Sequence, residues 1–493
     1  MRKFLCVFIG ILNYSTGFGQ TFTLNISKGY GTGVYQKGDT VFIWSYPETD
    51  NNSFNKWQGS ANKYMLEGNE WLTRVVVPPS DTISEIYASA SFNDLNSTVN
   101  IGDEKIILPK MDNEVQTTTS KDVYYQIPEN PKGIIFCFHG TGGSGIGFET
   151  DFEKRSFFKA GANRNYIMIA TEANEKTTTD QDGNGKIRWH IEDELTDNAS
   201  NNIDIKLIKA LRDTFINRYA LQSDFPTFSM GVSNGANFAD LCAAALNFNA
   251  SAHMTGNGLP GIYEKRTDAT PVIFIQSIND QHESAKPDVV FGNHEALLER
   301  GISSEFYWHR KTPVYDERFI RTTDLLISKE ISDSIFQRMK RHPNLLDNID
   351  RLLISNNSEL PENLFDDLAL SNGSKTDCEN QIKIMNADHK FHSHFNNRIL
   401  DFFDLHLENV NSTSIKAEES DIKVYPNPTQ NHIIITNIKE STSVYIISVT
   451  GKILKREIGK SIINIEYLPN GVYLIKVNES GNFLVKTIVK GYK

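Results

Sequence analysis

The sequence predicts an α/β domain between two smaller β-rich domains, and three observations carry this prediction. Continuous apolar strands alternate with amphipathic helices across 121–408, which is typical of a sheet covered by helices on both faces. Short alternating strands between turn residues fill 20–110 and 421–493. Polar stretches without periodicity at 111–120 and 409–420 are predicted linkers between the three parts.

Length and charge limit the function classes. A chain of 493 residues is too long for a single hydrophobic core, so several domains are expected. The net charge of −11 and the lack of a Lys/Arg cluster argue against a nucleic-acid partner, because phosphate binding needs a basic face. The oligomeric state stays open.

The first residues are typical of a signal peptide over 1–19. Arg2 and Lys3 precede the apolar run Phe4–Leu12, and small residues follow before Gln20. This run is too short to cross a bilayer, and no other stretch is long enough. We therefore predict an exported chain with no transmembrane segment.

Three cysteines, Cys137, Cys242 and Cys378, follow the predicted signal peptide and allow one disulfide at most. Export implies an oxidising compartment, which favours disulfides. Cys137 nevertheless falls in an apolar strand and Cys242 on a predicted helix, so we expect buried thiols.

The N-terminal module, 20–110, is predicted to be β-rich because glycines and a Lys-Gly-Asp turn punctuate its apolar runs. Its pattern G-x-G-x-Y-x-x-G-D-x-V, followed by F-x-x-W-x-G, resembles the divergent bacterial surface repeats related to internalin B. That resemblance implies a spacer or an adhesive accessory. Trp44, Trp57 and Trp71 are expected in its core, and glycan binding stays open.

The central domain shows the strands and helices of a buried sheet. Four apolar runs are predicted strands: KGIIFCFHG (132–140), NYIMIATEA (165–173), PTFSMGVS (226–233) and ATPVIFIQSIND (269–280). Ile205, Ile208, Leu211 and Phe215 recur at spacings of three or four, which predicts an amphipathic helix beginning near Asp204.

The stretch FSMGVSNGANF, 228–238, has the pattern of a nucleophile elbow. Ser233 lies between Gly231 and Gly235, an apolar strand precedes it, and an Ala-rich helix follows. Such a strand-to-helix turn exposes a serine hydroxyl, and small flanking residues allow the backbone to turn. We predict Ser233 as a nucleophile, with a simple turn residue as the alternative.

The loop after the first strand, FCFHGTGGSG, can supply backbone N–H groups to an oxyanion because glycines permit close approach. We predict the amides of Asn234 and Thr141 as the donors, with Gly142 as the alternative to Thr141. A phosphate cradle is disfavoured, since neither G-K-[ST] nor G-x-G-x-x-G with a suitably placed acid is present.

Asp280 directly follows a predicted buried strand, where an acid that orients a histidine is expected, and Glu283 is the alternative. QIKIMNADHKFHSHF, 381–395, is predicted to run from a strand into a loop. His389, in Asp388-His389-Lys390-Phe391, is the favoured base and His392 the alternative.

Metal binding is not expected. The spacing of His389, His392 and His394 lacks the glutamate partner of H-E-x-x-H, so zinc is disfavoured. DQDGNGKIRWHIE, 180–192, matches the first half of a calcium loop but has Ile191 at position 12. A solvated turn is favoured there over a structural calcium ion.

The central domain resembles the secreted esterases that include polyhydroxybutyrate depolymerases, feruloyl esterases and acetyl-xylan esterases. The shared phrases are a tryptophan, Trp189; an Asn-x-x-x-Asp-like helix start, Asn201/Asp204; and S-x-G-x-S-N-G, Ser229–Gly235. The resemblance implies an α/β-hydrolase fold with a Ser-His-Asp triad and an acyl-enzyme. We predict Trp189 and Gly142 as substrate-binding residues.

This resemblance covers 121–280 and 381–408 and is interrupted at 283–375, a segment predicted to form a helical insert or lid. It implies hydrolysis of carboxylic esters on plant polysaccharide or polyester, with no cofactor. The alternatives are a serine peptidase of the same fold and a catalytically inactive surface-binding or adhesion protein.

The C-terminal stretch, 421–493, resembles the sorting domain of the type IX secretion pathway. The matching residues are Val424-Tyr425-Pro426-Asn427-Pro428, Gly451-Lys452, Leu468-x-x-Gly471-Val472-Tyr473 and the final strand Lys486–Lys490. The resemblance implies a β-sandwich recognised by the type IX secretion machinery. It also implies a protein released from the cell or attached to its surface.

Overall fold

The computed structural model describes residues 20–67, 70–95, 100–107, 120–174, 186–191, 202–265, 269–321, 327–354, 360–361, 363–407 and most of 423–491. The chain divides into two compact units, Met1–Asn409 and Val410–Lys493. The predicted signal peptide, most of the first predicted linker and all of the second lie outside the described residues.

The N-terminal module contains two small sheets. Its strands are β1 (Thr21–Ser27), β2 (Gly29–Tyr30), β3 (Gly33–Gln36), β4 (Val41–Ser45), β5 (Asn52–Gln58), β6 (Leu72–Val75) and β7 (Glu85–Asp94). The sheet orders are β3-β1-β7-β5 and β2-β4-β6. Trp57 and Trp71 are buried in the core of the module, as predicted. Trp44 is partly buried and stacks on Tyr315, with 4.0 Å between ring centres.

An eight-stranded sheet forms the centre of the first unit. Its strands are β8 (Asn100–Ile107), β9 (Ser120–Ile127), β10 (Gly133–Phe138), β11 (Tyr166–Thr171), β12 (Thr227–Val232), β13 (Ala250–Met254), β14 (Val272–Ser277) and β15 (Ser304–His309). The order is β15-β14-β13-β12-β10-β11-β9-β8, and β9 runs antiparallel to both of its neighbours. This arrangement is an α/β-hydrolase sheet, which confirms the predicted fold class.

The helices of the first unit are α1 (Gly147–Thr150), α2 (Phe152–Asn163), α3 (Ile203–Arg218), α4 (Asn234–Leu246), α5 (Pro260–Lys265), α6 (Pro287–Glu299), α7 (Lys329–Arg341), α8 (Asn372–Met385) and α9 (Asn396–Leu405). The central sheet is buried on both faces. Along β10, Ile134, Phe136 and Phe138 belong to one apolar core, and Ile135 and Cys137 belong to the other. The two-residue period of a strand therefore supplies both cores from one continuous apolar run.

The N-terminal module packs directly against the α/β domain. Lys159 on α2 donates a hydrogen bond to the carbonyl of Asn52 at 2.8 Å. The indole N–H of Trp71 donates to the carbonyl of Ser393 at 3.1 Å. Burial of these polar groups is offset by their hydrogen bonds, so this contact is specific as well as apolar.

Two predicted boundaries differ from the structure. Strand β8, which the sequence prediction assigns to the N-terminal module, pairs with β9 at the edge of the central sheet. Helix α6 and strand β15 also belong to the α/β domain, although both fall within the predicted insert, 283–375. The extra segment begins after His309, and its core, which includes Phe319, Ile335 and Met339, is separate from the two cores of the sheet.

The prediction of a strand at the start of 381–395 is wrong, because Asn372–Met385 forms helix α8. The Ser371 hydroxyl caps this helix by accepting from the N–H of Ser374 at 3.0 Å. Cys378, Ile382 and Met385 lie on its buried face at helical spacing. The helical spacing of these buried residues cannot be seen within the short run Ile-Lys-Ile-Met alone.

The C-terminal unit is a β-sandwich. Its strands are β16 (Val424–Tyr425), β17 (His432–Ile435), β18 (Ser443–Ser448), β19 (Ile453–Ile458), β20 (Ile462–Asn464), β21 (Gly471–Glu479) and β22 (Asn482–Lys490). They form the sheets β16-β17-β20 and β19-β18-β21-β22 around a core that includes Ile433, Ile446 and Ile475. Among the described residues of the whole chain, no helix has the length and apolarity needed to cross a membrane.

Candidate active site

Ser233 occupies a strained turn between β12 and α4. Its backbone angles are φ 56° and ψ −123°, a conformation that residues other than glycine rarely adopt. A Cβ at Gly231 would overlap the backbone of Gly235, and a Cβ at Gly235 would overlap the carbonyls of Phe138 and His139. Both flanking glycines are therefore required for the turn that holds Ser233.

Asp280 and His389 form a hydrogen-bonded pair. Nδ1 of His389 lies 2.7 Å from Oδ2 of Asp280, whose side chain is fully buried. The other carboxylate oxygen, Oδ1, accepts from the backbone N–H of His282 at 3.0 Å. The ring of His282 also stacks on His389, with 4.6 Å between ring centres. Glu283, the alternative acid, lies in the short 3₁₀ helix Glu283–Ala285.

Ser233 and His389 line the same cavity, which has a volume of about 300 Å³. The loop after β10 contributes Gly140 and Thr141 to its wall, and helix α8 contributes Asn380 and Gln381. The extra segment between β15 and His389 thus reaches the cavity through its last helix. The sequence predicted an insert near the site but not the helix that lines the cavity.

The predicted oxyanion donors differ in their hydrogen bonding. The N–H of Gly142 donates to the carbonyl of Ile187 at 2.6 Å, so it is already engaged. Asn234 begins α4, where a helix has no internal acceptor for the N–H. Neither Asn234 nor Thr141 donates its backbone N–H to any of the described residues. These two amides are therefore available for a ligand, and Gly142 is not.

Trp189 lies in the core and not at the wall of the cavity. Its side chain is 1% exposed, and its indole N–H donates to the carbonyl of His139 at 2.9 Å. It stacks on Phe238 with 4.6 Å between ring centres. The side-chain amide of Asn234 makes two hydrogen bonds to the backbone of Trp189. Its Oδ1 accepts from the Trp189 N–H at 2.8 Å, and its Nδ2 donates to the Trp189 carbonyl at 3.2 Å. Trp189 therefore positions the turn after Ser233. Neither Trp189 nor Gly142 lines the cavity, so the prediction that they bind substrate is wrong.

Asp204 holds the loop that carries Trp189 against α3. Its carboxylate accepts from the backbone N–H of His190 at 2.9 Å and from that of Asn174 at 2.7 Å. Burial raises the pKa of Asp204, and nearby Lys121 opposes that rise. The helix start of the sequence motif thus has a positioning role. Residue 201 and the calcium-like positions 180–185 lie outside the described residues.

His392, the alternative base, is buried away from Asp280. Its ring lies 3.8 Å from that of His309 and 5.1 Å from that of His394. Burial and nearby Arg318 lower the pKa of His392 to about 3, so it is neutral at physiological pH. The two histidines left open by the sequence thus have different environments, and only His389 contacts the buried aspartate.

Glu153 was not singled out from the sequence, yet it connects four parts of this region. Its Oε1 accepts from Arg318 at 3.3 Å and from Gln381 at 3.1 Å, and its Oε2 accepts from the backbone N–H of Ser393 at 2.8 Å. Burial alone would raise the pKa of Glu153, but Arg318, Arg321 and the Ser393 hydrogen bonds outweigh it and lower the pKa. An acidic residue in the first turn of a helix gave no signal of this role.

The fold and this site define an α/β-hydrolase domain in which a serine and a histidine line one cavity and a buried aspartate is bonded to that histidine. Residues 423–491 match the family described as "Secretion system C-terminal sorting domain". The C-terminal unit is thus a type IX sorting domain, and the chain is a secreted or surface-attached protein. Cys137, Cys242 and Cys378 are all buried, as predicted for the thiols.

Several solved structures are similar to part of this chain. A ferulic acid esterase is 10% identical over 43% of this chain and 90% of its own, with a TM-score of 0.32. The acetyl xylan esterase from Aspergillus awamori is 16% identical over 39% and 80%, with a TM-score of 0.28. The acylaminoacyl peptidase from Pyrococcus horikoshii is 10% identical over 61% and 51%, with a TM-score of 0.30. No curated protein matches the chain by sequence.

Proposed function

We propose that this chain is a secreted serine esterase that hydrolyses carboxylic esters through Ser233, His389 and Asp280. The observation that carries the proposal is the arrangement of the site: a serine on a strained turn faces the same cavity as a histidine whose Nδ1 is bonded to a buried carboxylate. This is the set of groups that activates a hydroxyl for acyl transfer.

In the proposed reaction, Nε2 of His389 takes the proton of the Ser233 hydroxyl as Oγ attacks the ester carbonyl. The amides of Asn234 and Thr141 donate hydrogen bonds to the oxyanion that develops. His389 then gives its proton to the departing alcohol, which leaves an acyl-Ser233. Water attacks this acyl-enzyme with His389 again as base, and the acid and free serine are released. Asp280 stabilises the charged imidazole throughout.

The proposed substrates are acyl or feruloyl esters on a polysaccharide, or a polyester. Export is consistent with a polymer that cannot enter the cell. A cavity of about 300 Å³ lies at the lower end of the range for small-molecule sites, which suits a short acyl group or one aromatic acid. The type IX machinery is the proposed partner during export, and no cofactor takes part in the reaction.

The first experiment compares the wild-type chain with Ser233→Ala and with a control, Ser334→Ala on α7. The panel is nitrophenyl acetate and butyrate, methyl ferulate, acetylated xylan, a hydroxybutyrate oligomer and a peptide anilide. We expect ester turnover in the wild type and in the control, and a loss of about 10⁴-fold or more in Ser233→Ala.

The other outcomes decide between the alternatives. Cleavage of the peptide anilide alone would favour a serine peptidase. Folded wild-type protein that turns over none of the panel would contradict the esterase proposal and favour a surface-binding protein. Ester turnover that persists in Ser233→Ala would contradict the assignment of the nucleophile.

A further inference from the structure

Three buried histidines lie close together, one at the end of strand β15 and two in the loop that follows His389. They are His309, His392 and His394, which are 1%, 0% and 4% exposed. Each offers one imidazole nitrogen, and these nitrogens all lie within 4.8 Å of one another. We refer to these three side chains as the histidine cluster, and His389 is not one of them.

The ring positions are close to those of three imidazoles on one ion. Three imidazoles bound to one tetrahedral zinc at about 2.0–2.1 Å hold their ring centres roughly 5 Å apart. In the structure, the ring of His394 lies 4.8 Å from that of His309 and 5.1 Å from that of His392. The remaining pair, His309 and His392, lies at 3.8 Å and must open by roughly 1 Å to share an ion.

The cluster has ring nitrogens with no partner among the described residues. They are Nε2 of His309, both ring nitrogens of His392 and Nε2 of His394. Buried polar atoms without partners are costly, so each calls for an explanation. Nδ1 of His309 lies 3.2 Å from the hydroxyl of Ser277, which leaves Nε2 free to face the cluster. An outer hydrogen bond of this kind orients an imidazole that binds a metal.

The charges around the cluster select what can bind with the ion. Arg318 and Arg321 are fully buried nearby, and Glu153 pairs with Arg318 at 3.3 Å. Arg321 stacks on Trp71 at 3.5 Å, and none of its guanidinium nitrogens has a hydrogen-bond partner among the described residues. A metal ion would add positive charge beside Arg321, which is unfavourable unless a negative ligand accompanies the ion. The unpaired guanidinium donors are suited to hold that ligand.

We propose that His309, His392 and His394 bind one zinc ion, with a hydroxide or chloride as the fourth ligand. Neutral imidazole nitrogens are ligands that zinc prefers, and three of them leave one tetrahedral position for the anion. A cavity of about 680 Å³, lined by His309 and His394 and by residues of the N-terminal module such as Arg74, provides a route for the ion. His389, which the sequence places beside His392 and His394, pairs instead with Asp280. His309 is distant in the sequence and takes its place in the cluster.

The ion has a structural role and takes no part in the ester reaction. His392 and His394 follow His389 in one loop, whereas His309 ends β15. Trp71 of the N-terminal module packs edge-on against His394, with 4.9 Å between ring centres. Zinc would therefore cross-link the loop after His389 to the central sheet beneath the N-terminal module.

The test measures zinc content and not activity, so its outcome is independent of the proposed esterase reaction. The full chain is freed of metal with a chelator, titrated with zinc and analysed by equilibrium dialysis and elemental analysis. His392→Gln and His394→Gln remove one ligand each, and His342→Gln, at an exposed position in the extra segment, is the matched control. We expect one zinc per chain in the wild type and the control, and loss of this stoichiometric site in both cluster variants.

Cobalt provides a second measurement that does not depend on the variants folding. Wild-type chain loaded with Co²⁺ should show the strong visible absorption of a four-coordinate site, and an equivalent of zinc should abolish it. Zinc should also raise the unfolding temperature of the wild type. Folded wild-type chain that binds no zinc or cobalt would overturn the proposal, as would cluster variants that bind zinc as the wild type does.

Discussion

Asp280 has both carboxylate oxygens occupied, by Nδ1 of His389 and by the N–H of His282. The backbone bond fixes the orientation of the carboxylate, and the bond to the imidazole fixes which nitrogen of His389 carries the proton. In the proposed reaction, Nε2 of His389 then accepts the proton of Ser233. At the scale of single residues, the proposed chemistry depends on the hydrogen bond between Asp280 and His389.

Asp280→Asn keeps the size of the side chain and removes its charge. We expect a fall of about 10⁴-fold in kcat for a nitrophenyl ester, because the amide favours the wrong imidazole tautomer and does not stabilise the imidazolium. The matched control is Glu283→Gln, which removes the charge of the alternative acid and should retain wild-type turnover. Full activity in Asp280→Asn together with loss in Glu283→Gln would reverse the assignment.

Sequence reasoning reached the residues whose environment is local. Ser233 is defined by the glycines and by the strand and helix beside it, and Asp280 by the strand that it follows. Trp189 was interpreted wrongly because burial depends on packing that adjacent residues do not reveal. His309 was missed for a related reason: its neighbours in space come from a different part of the chain.

At the scale of elements, Glu153 connects helix α2 to two parts of the extra segment, the turn at Arg318 and helix α8, and to the loop after His389. Its partners are Gln381 on α8, Arg318 in the extra segment and Ser393 in the loop. Glu153 and Arg318 are 2% and 0% exposed. Removing one partner leaves the other charge buried without its counterion, which is more costly than replacing both.

We therefore expect Glu153→Gln to lower the free energy of unfolding by about 3–5 kcal/mol, measured by denaturant unfolding of the full chain. Glu299→Gln, at an exposed position on α6, is the control and should change it by less than about 0.5 kcal/mol. The double variant Glu153→Gln/Arg318→Met should recover part of the loss. A Glu153→Gln variant as stable as the control would show that the pair does not hold these elements together.

The elements that the sequence predicted best are those with long apolar runs. Strands β10, β12 and β14 are buried on both faces and appear as continuous apolar segments. Helix α8 was mistaken for a strand because its buried face shows only over the longer stretch from Cys378 to Met385. Strand β8 was assigned to the wrong sheet because the polar stretch between β8 and β9 in the sequence resembles a domain linker.

At the scale of the whole molecule, catalysis and export are assigned to different parts of the chain. Ser233, Asp280 and His389 all belong to the unit Met1–Asn409. The sorting-domain match, 423–491, lies entirely in the unit Val410–Lys493. The sequence predicted this division from the polar stretch 409–420 and from the blocks of residues in 421–493 that resemble a sorting domain.

Removal of 421–493 should therefore abolish secretion while the ester turnover of the purified protein stays at the wild-type value. The measurement is the distribution of the chain between culture medium, cell surface and periplasm in the producing bacterium, alongside nitrophenyl ester turnover. A chain with a small peptide tag inserted within 409–420 and an intact C-terminal unit is the control, and it should be exported normally. We expect the truncated chain to accumulate in the periplasm, because the predicted signal peptide would direct export across the inner membrane only. Truncated protein that reached the medium as efficiently as the tagged control would contradict the role of the C-terminal unit as the export signal.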